Sequence, residues 1–122
     1  MDSHRDPRVK AVFSIEPAAG PETVRRSLAA IGIPVAFVAG FGDLILPVMD
    51  NVIPDALAIP NAQLTLFAKP VGHYTFLIDC TAAGSRKFIA ICRDAGPARV
   101  AVHQATLELA ASFFARTLPP PP

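Results

Sequence analysis

The segment IPVAFVAG, residues 33–40, runs for eight positions without a polar side chain and ends in glycine. A strand with one wet face alternates apolar and polar residues. An unbroken run reads as a strand buried on both faces, as in a parallel sheet covered by helices. Two shorter runs fit beside it. VKAVFSI, residues 9–15, predicts a strand stopped by Pro17, and AQLTLFA, residues 62–68, predicts a third.

Helical signals fill the spaces between. GPETVRRSLAAIG predicts a loop running into one or two helical turns that stop at Gly32. DLILPVMDNVIPDALA has helical tendency interrupted by Pro47 and Pro54, and YTFLIDCTAAGSRKFIAICRDAG reads as two short helices around Gly84. From Pro97 to Leu118 the helical period is clear. It places Val100, His103, Leu107, Ala111, Phe114 and Leu118 on one stripe, with Arg99, Glu108 and Arg116 off it. The prolines at 119–122 cannot continue that helix and predict a disordered tail. The alternation of strand and helix predicts one α/β domain over residues 1–118, with about three parallel strands and flanking helices.

Composition removes several classes of function. Apolar residues make up 52% of the 122 and charged residues 17%, which excludes general disorder. A net charge of +1 without a basic block predicts no nucleic-acid partner. No stretch reaches the roughly eighteen apolar residues of a membrane span. The opening MDSHRDPRVK has no apolar core of signal-peptide type, so a cytoplasmic location is expected. Cys80 and Cys92 are too few for a disulfide scaffold and lack C-x-x-C spacing. A disulfide between them is geometrically possible, but free thiols are the expectation for a cytoplasmic chain. No metal site is expected, because His73, His103 and the cysteines have no metal-ligand spacing.

In open α/β sheets, chemistry collects beyond the carboxyl ends of the strands. Asp43 follows FVAGFG at the end of the central run. His73 follows the next strand in KPVGHYTFL, on a loop with Pro70 and Gly72. Each residue has a plainer reading, Asp43 as a helix N-cap and His73 as a packed ring. Neighbouring parallel strands would put both on one rim, and an Asp that fixes a His tautomer is half of a nucleophilic triad. His103 lies within the apolar stripe of the last helix and reads as structural. Its ring needs a hydrogen-bond partner, for which the Asp94 region or a carbonyl of the cysteine segment are candidates.

Four stretches, SLAAIGIPVAFVAGFGDLILP, IPNAQLTLF, VGHYTFLIDCTAAG and ICRDAGPARVAVHQATLELAASFFARTL, resemble the C-terminal part of bacterial α/β-hydrolases of the dienelactone hydrolase-like group. The resemblance runs from about Asp6 to Leu118. Its specific parts are G-x-x-D after a strand, V-G-H-Y-x-F-L and the paired cysteines. It implies the C-terminal half of a three-layer α/β-hydrolase sheet, with Asp43 as triad acid and His73 as triad base. It also implies hydrolysis of a small-molecule ester or lactone without a cofactor.

The nucleophile elbow of that group, G-x-S-x-G or its cysteine version, is missing from the sequence. Ser14 has Val12 and Glu16 where an elbow has glycines, and Ser27 has Arg25 and Ala29. The resemblance therefore implies a chain that begins after the nucleophile helix, is inactive alone, and needs an N-terminal half. The edge of strand 9–15, guarded only by Lys10, is expected to self-associate or to bind that half. A non-catalytic α/β module that associates through this edge is the alternative.

Overall fold

A computed structural model describes residues 6–18, 25–93 and 97–120. The predicted central strand is its centre. β2 (Val35–Gly40) is buried at every position and lies between β1 (Val12–Ile15) and β3 (Gln63–Phe67), parallel to both. Val12 registers with Val35 at one edge, and Gly40 with Phe67 at the other.

Alternation along β2 sends its side chains to two separate layers. Val35, Phe37 and Ala39 pack with Val48, Val52 and Ile59, against α1 (Arg25–Ala29) and α2 (Val52–Ala58). Ala36 and Val38 face the other side, towards Phe13, Leu109 and Phe113. Those last two belong to α4 (Pro97–Thr117), which covers that face. Phe113 is 1% exposed, and its ring centroid lies 5.9 Å from that of Phe13. Burying each large side chain of this strand is worth roughly 1.5–3 kcal/mol. The fold is thus a small three-stranded parallel sheet with helices on both faces. No helix of the described residues is long and apolar enough to cross a membrane.

Five expectations are corrected. The first strand begins at Val12 rather than Val9. Val12 N–H donates to the Pro34 carbonyl, and Pro34 has no N–H with which to extend the ladder backwards. Gly84 does not separate two helices. It lies inside α3 (Ala82–Lys87), whose start is capped by Thr81 Oγ1 accepting from Gly84 N–H at 3.1 Å. Of the expected helix in GPETVRRSLAAIG, residues 20–24 lie outside the described residues. Cys80 and Cys92 form a disulfide, because the turn after α3, where the Ile91 and Cys92 N–H groups donate to the Phe88 carbonyl, returns the chain and their Cα atoms lie 5.9 Å apart.

The stripe on α4 is displaced by about one residue. Val100 and Leu107 are more than half exposed, whereas Arg99, Val102, Thr106 and Phe113 are buried. Alanine, valine and leucine surround this helix, so apolar periodicity does not choose a face. Hydrogen bonding lets the polar members turn inward. Arg99, fully buried, donates to the carbonyls of Ile78 at 3.1 Å and Ile91 at 2.6 Å, and Thr106 Oγ1 donates to the Val102 carbonyl. The fifth correction concerns His103. The bond of its Nε2 goes to the Thr75 carbonyl, upstream of both cysteines, and the Asp94 candidate lies outside the described residues.

Phe113→Ala is expected to destabilise the fold by about 3–5 kcal/mol, and Leu107→Ala by less than about 1 kcal/mol. Urea unfolding of the two variants checks the corrected face; the reverse order would restore the original stripe.

Candidate active site

Because the three strands are parallel, their carboxyl ends share one rim. Each is followed by a side chain that can carry or exchange a proton: Glu16 after β1, Asp43 after β2 and His73 after β3. The structure brings all three together, each offering an atom within 4.8 Å of the others.

Backbone contact between two loops sets this geometry. Gly42 N–H donates to the Val71 carbonyl at 2.7 Å, and Phe41 N–H to the Phe67 carbonyl at 2.9 Å. A Cβ on Gly42 would meet the Val71 and Pro70 carbonyl oxygens at 2.6 and 2.7 Å. Gly72 faces the Gly42 carbonyl less tightly, with 3.0 Å left for a Cβ. Glycine on both loops is what permits the crossing that sets Asp43 beside His73.

The Asp43 side chain is fully buried. Its Oδ1 accepts from the N–H groups of Ile45 at 2.7 Å and Leu46 at 2.8 Å, and its Oδ2 bonds His73 Nδ1 at 2.9 Å. The N-cap-like contacts and the pairing with histidine therefore coexist on different oxygens. Burial works to raise the Asp43 carboxyl. The N–H groups of Leu46 and Ile45, with His73 and Glu16, outweigh it and hold the carboxyl below its ordinary value. An ionised carboxylate only accepts, so the proton of the 2.9 Å bond sits on Nδ1. In the neutral ring, Nε2 is then the basic nitrogen.

His73 opens a 3₁₀ turn, His73–Phe76, that is anchored twice. Gly72 N–H donates to Thr75 Oγ1 at 3.0 Å, and Thr75 N–H returns to the Gly72 carbonyl at 3.0 Å. From α4, His103 Nε2 donates to the Thr75 carbonyl at 2.8 Å. The structural role expected of His103 is thus the support of the turn that carries His73. Tyr74 stands edge-on to the His73 ring at 5.5 Å.

Glu16 was not among the residues expected here, although it obeys the rule that pointed to Asp43: it is the first ionisable residue after a strand on the same rim. It is 7% exposed, with the backbone in the left-handed region at φ 45°. That conformation costs a residue with a Cβ about 1–2 kcal/mol. It turns the side chain across the sheet end, where Oε1 accepts from Gly40 N–H at 2.6 Å. Burial pushes the Glu16 carboxyl up to about 7; the Gly40 N–H opposes this, and Asp43 adds to it.

A groove of about 780 Å³ opens beside the pair. His73, Tyr74, Leu44, Ile45, Pro70 and Arg93 are among the residues that line it. No serine or free cysteine lines it among the described residues, since both cysteines are in the disulfide. Glu16, Asp43 and His73 are the residues that could hold a cation. Compared with models of protein families and with curated protein sequences, the chain matches none.

Two predictions follow from the site's geometry and charge. Gly42→Ala is expected to cost about 1–3 kcal/mol by forcing the loops apart, whereas Gly32→Ala, with nothing within 4 Å of its Cβ, should be neutral. Chemical denaturation of both variants checks this. The two carboxyls also shape the pH dependence of stability in opposite senses. Asp43 is lowered, so its contribution is present above its unfolded value of 3.8 and lost as pH falls below it. Glu16 is raised, so its neutral form is favoured on folding and stability falls as pH rises from about 4.5 to about 7. Asp43→Asn should flatten the acid limb. Glu16→Gln should remove a decline on the order of 2 kcal/mol between pH 5 and 7, read from urea midpoints.

Proposed function

We propose that this chain is the C-terminal portion of an α/β-hydrolase of the dienelactone hydrolase or esterase type, acting on carboxylic esters or lactones. The observation that carries this reading is the 2.9 Å bond from His73 Nδ1 to a fully buried Asp43 carboxylate, at the strand ends and beside an apolar groove. Asp43 fixes the tautomer and stabilises the imidazolium, and Nε2 takes the proton from a nucleophile supplied outside these 122 residues. The attacking oxygen or sulfur adds to the ester carbonyl. His73 then returns the proton to the departing alkoxide, which in a lactone stays tethered to the acyl group. Water, activated by the same nitrogen, cleaves the acyl-enzyme and regenerates the nucleophile. Leu44, Ile45 and Tyr74 offer apolar surface to the substrate body.

On this reading the chain alone has no turnover. Combined with a polypeptide bearing a G-x-S-x-G or G-x-C-x-G elbow and its oxyanion hole, it should hydrolyse p-nitrophenyl esters. His73→Ala should then lower kcat by about 10³-fold or more. Undiminished hydrolysis in that variant overturns the assignment. The disulfide bears on location as well. Such bonds persist in oxidising surroundings, so it pulls against the cytoplasmic expectation.

An open edge favours a second reading, a module that works by association. β1 pairs only with β2 among the described residues, and its end residues Val12 and Ile15 are 37% and 45% exposed. Sedimentation separates the two. A self-associated chain that Ile15→Lys converts to monomer, without esterase activity on complementation, supports the module.

A further inference from the structure

We infer that Glu16 is a positioning residue: as a neutral carboxylic acid it donates a hydrogen bond to Asp43, so that His73 faces one negative charge rather than two. The inference goes beyond the hydrolase reading and concerns three side chains of this chain, whatever the nucleophile.

Four observations carry it. Glu16 is more than nine-tenths buried, and Oε1 is committed to Gly40 N–H. Oε2 is buried and finds no donor among the described residues. The charged group beside it is Asp43, whose oxygens are themselves acceptors, with His73 beyond it. Two ionised carboxylates in that position would repel. One proton converts the contact into a hydrogen bond between a carboxylic acid and a carboxylate. Asp43 already accepts from two N–H groups and from His73, so it is the member held ionised. Glu16, with a single N–H contact, is the member that keeps the proton, in agreement with its upward shift.

The consequence for the base is electrostatic. Each contact to Asp43 spreads the charge that His73 feels. A neutral Glu16 tempers Asp43 without removing its charge. An ionised Glu16 would add a second negative charge at the same rim and strengthen the hold on the imidazolium, which must give up its proton to complete a reaction cycle. Glu16→Gln retains an acceptor for Gly40 N–H and a donor for Asp43, so it reproduces the neutral state at every pH.

The chain contains three glutamates, Glu16, Glu22 and Glu108, which makes carboxyl-13C labelling of glutamate tractable. In the full wild-type chain, the resonance absent from Glu16→Gln should ionise with a midpoint near 7. The His73 ring-15N signals should shift at that same midpoint. In Glu16→Gln this second step should vanish while the His73 Nδ1–H signal persists. A merely structural glutamate would not move the histidine signals. If that variant does not fold, Glu22→Gln and Glu108→Gln assign the other two resonances and leave Glu16 to be titrated in the wild-type chain. A Glu16 resonance fully ionised at pH 6 overturns the inference. So does stoichiometric Zn²⁺ uptake at pH 7 that Glu16→Gln abolishes, since the rim would then be built for a cation.

Discussion

The bond between Asp43 Oδ2 and His73 Nδ1 depends on a backbone contact that involves neither side chain. The turn after β2 and the loop after β3 touch through Gly42, Val71 and Gly72, at distances that leave no room for a Cβ on Gly42. The sheet supplies the rest. β2 and β3 are parallel neighbours, so their ends emerge side by side, and full burial of β2 fixes where that end lies. A change of an ångström in the crossing would separate a charge pair whose carboxylate is removed from solvent.

Support for the pair comes from every layer. Ile45 and Leu46 hold one oxygen of Asp43, Thr75 closes the turn carrying His73, and His103 reaches from α4 to the Thr75 carbonyl. Arg99 ties the same helix to the chain on either side of α3, near the Cys80–Cys92 disulfide. The long helix is thus a brace for the rim as well as a cover for the sheet. This explains why buried polar residues sit on its inner face. Arg99 and His103 bond carbonyls in the segment from 75 to 92, while Thr106 bonds the Val102 carbonyl of the helix itself.

Much of this was legible in the residues. The unbroken run 33–40 gave the central strand, because burial on both faces leaves no alternation. Asp43 and His73 followed from the rule that strand ends in such sheets carry chemistry, and the structure brings them into contact. Glu16 satisfied the same rule, but its left-handed backbone and its reach to Gly40 arise from tertiary context. The inner face of α4 is not legible in the sequence, because apolar residues surround the helix. What decides the face is which polar groups find carbonyls, and that depends on segments distant in sequence. The disulfide is open in the sequence for a similar reason: spacing allows it, and only the turn that follows α3 brings the two cysteines together.

The central claim is that a buried Asp43 carboxylate holds the His73 proton on Nδ1. Long-range ¹H–¹⁵N correlation of the imidazole, at a pH where the ring is neutral, reads this directly. The account predicts a protonated Nδ1, a bare Nε2 and a strongly deshielded Nδ1–H proton that disappears in Asp43→Ala but persists in Asp55→Ala. A wild-type His73 with its proton on Nε2, or a spectrum unchanged by loss of Asp43, would contradict it.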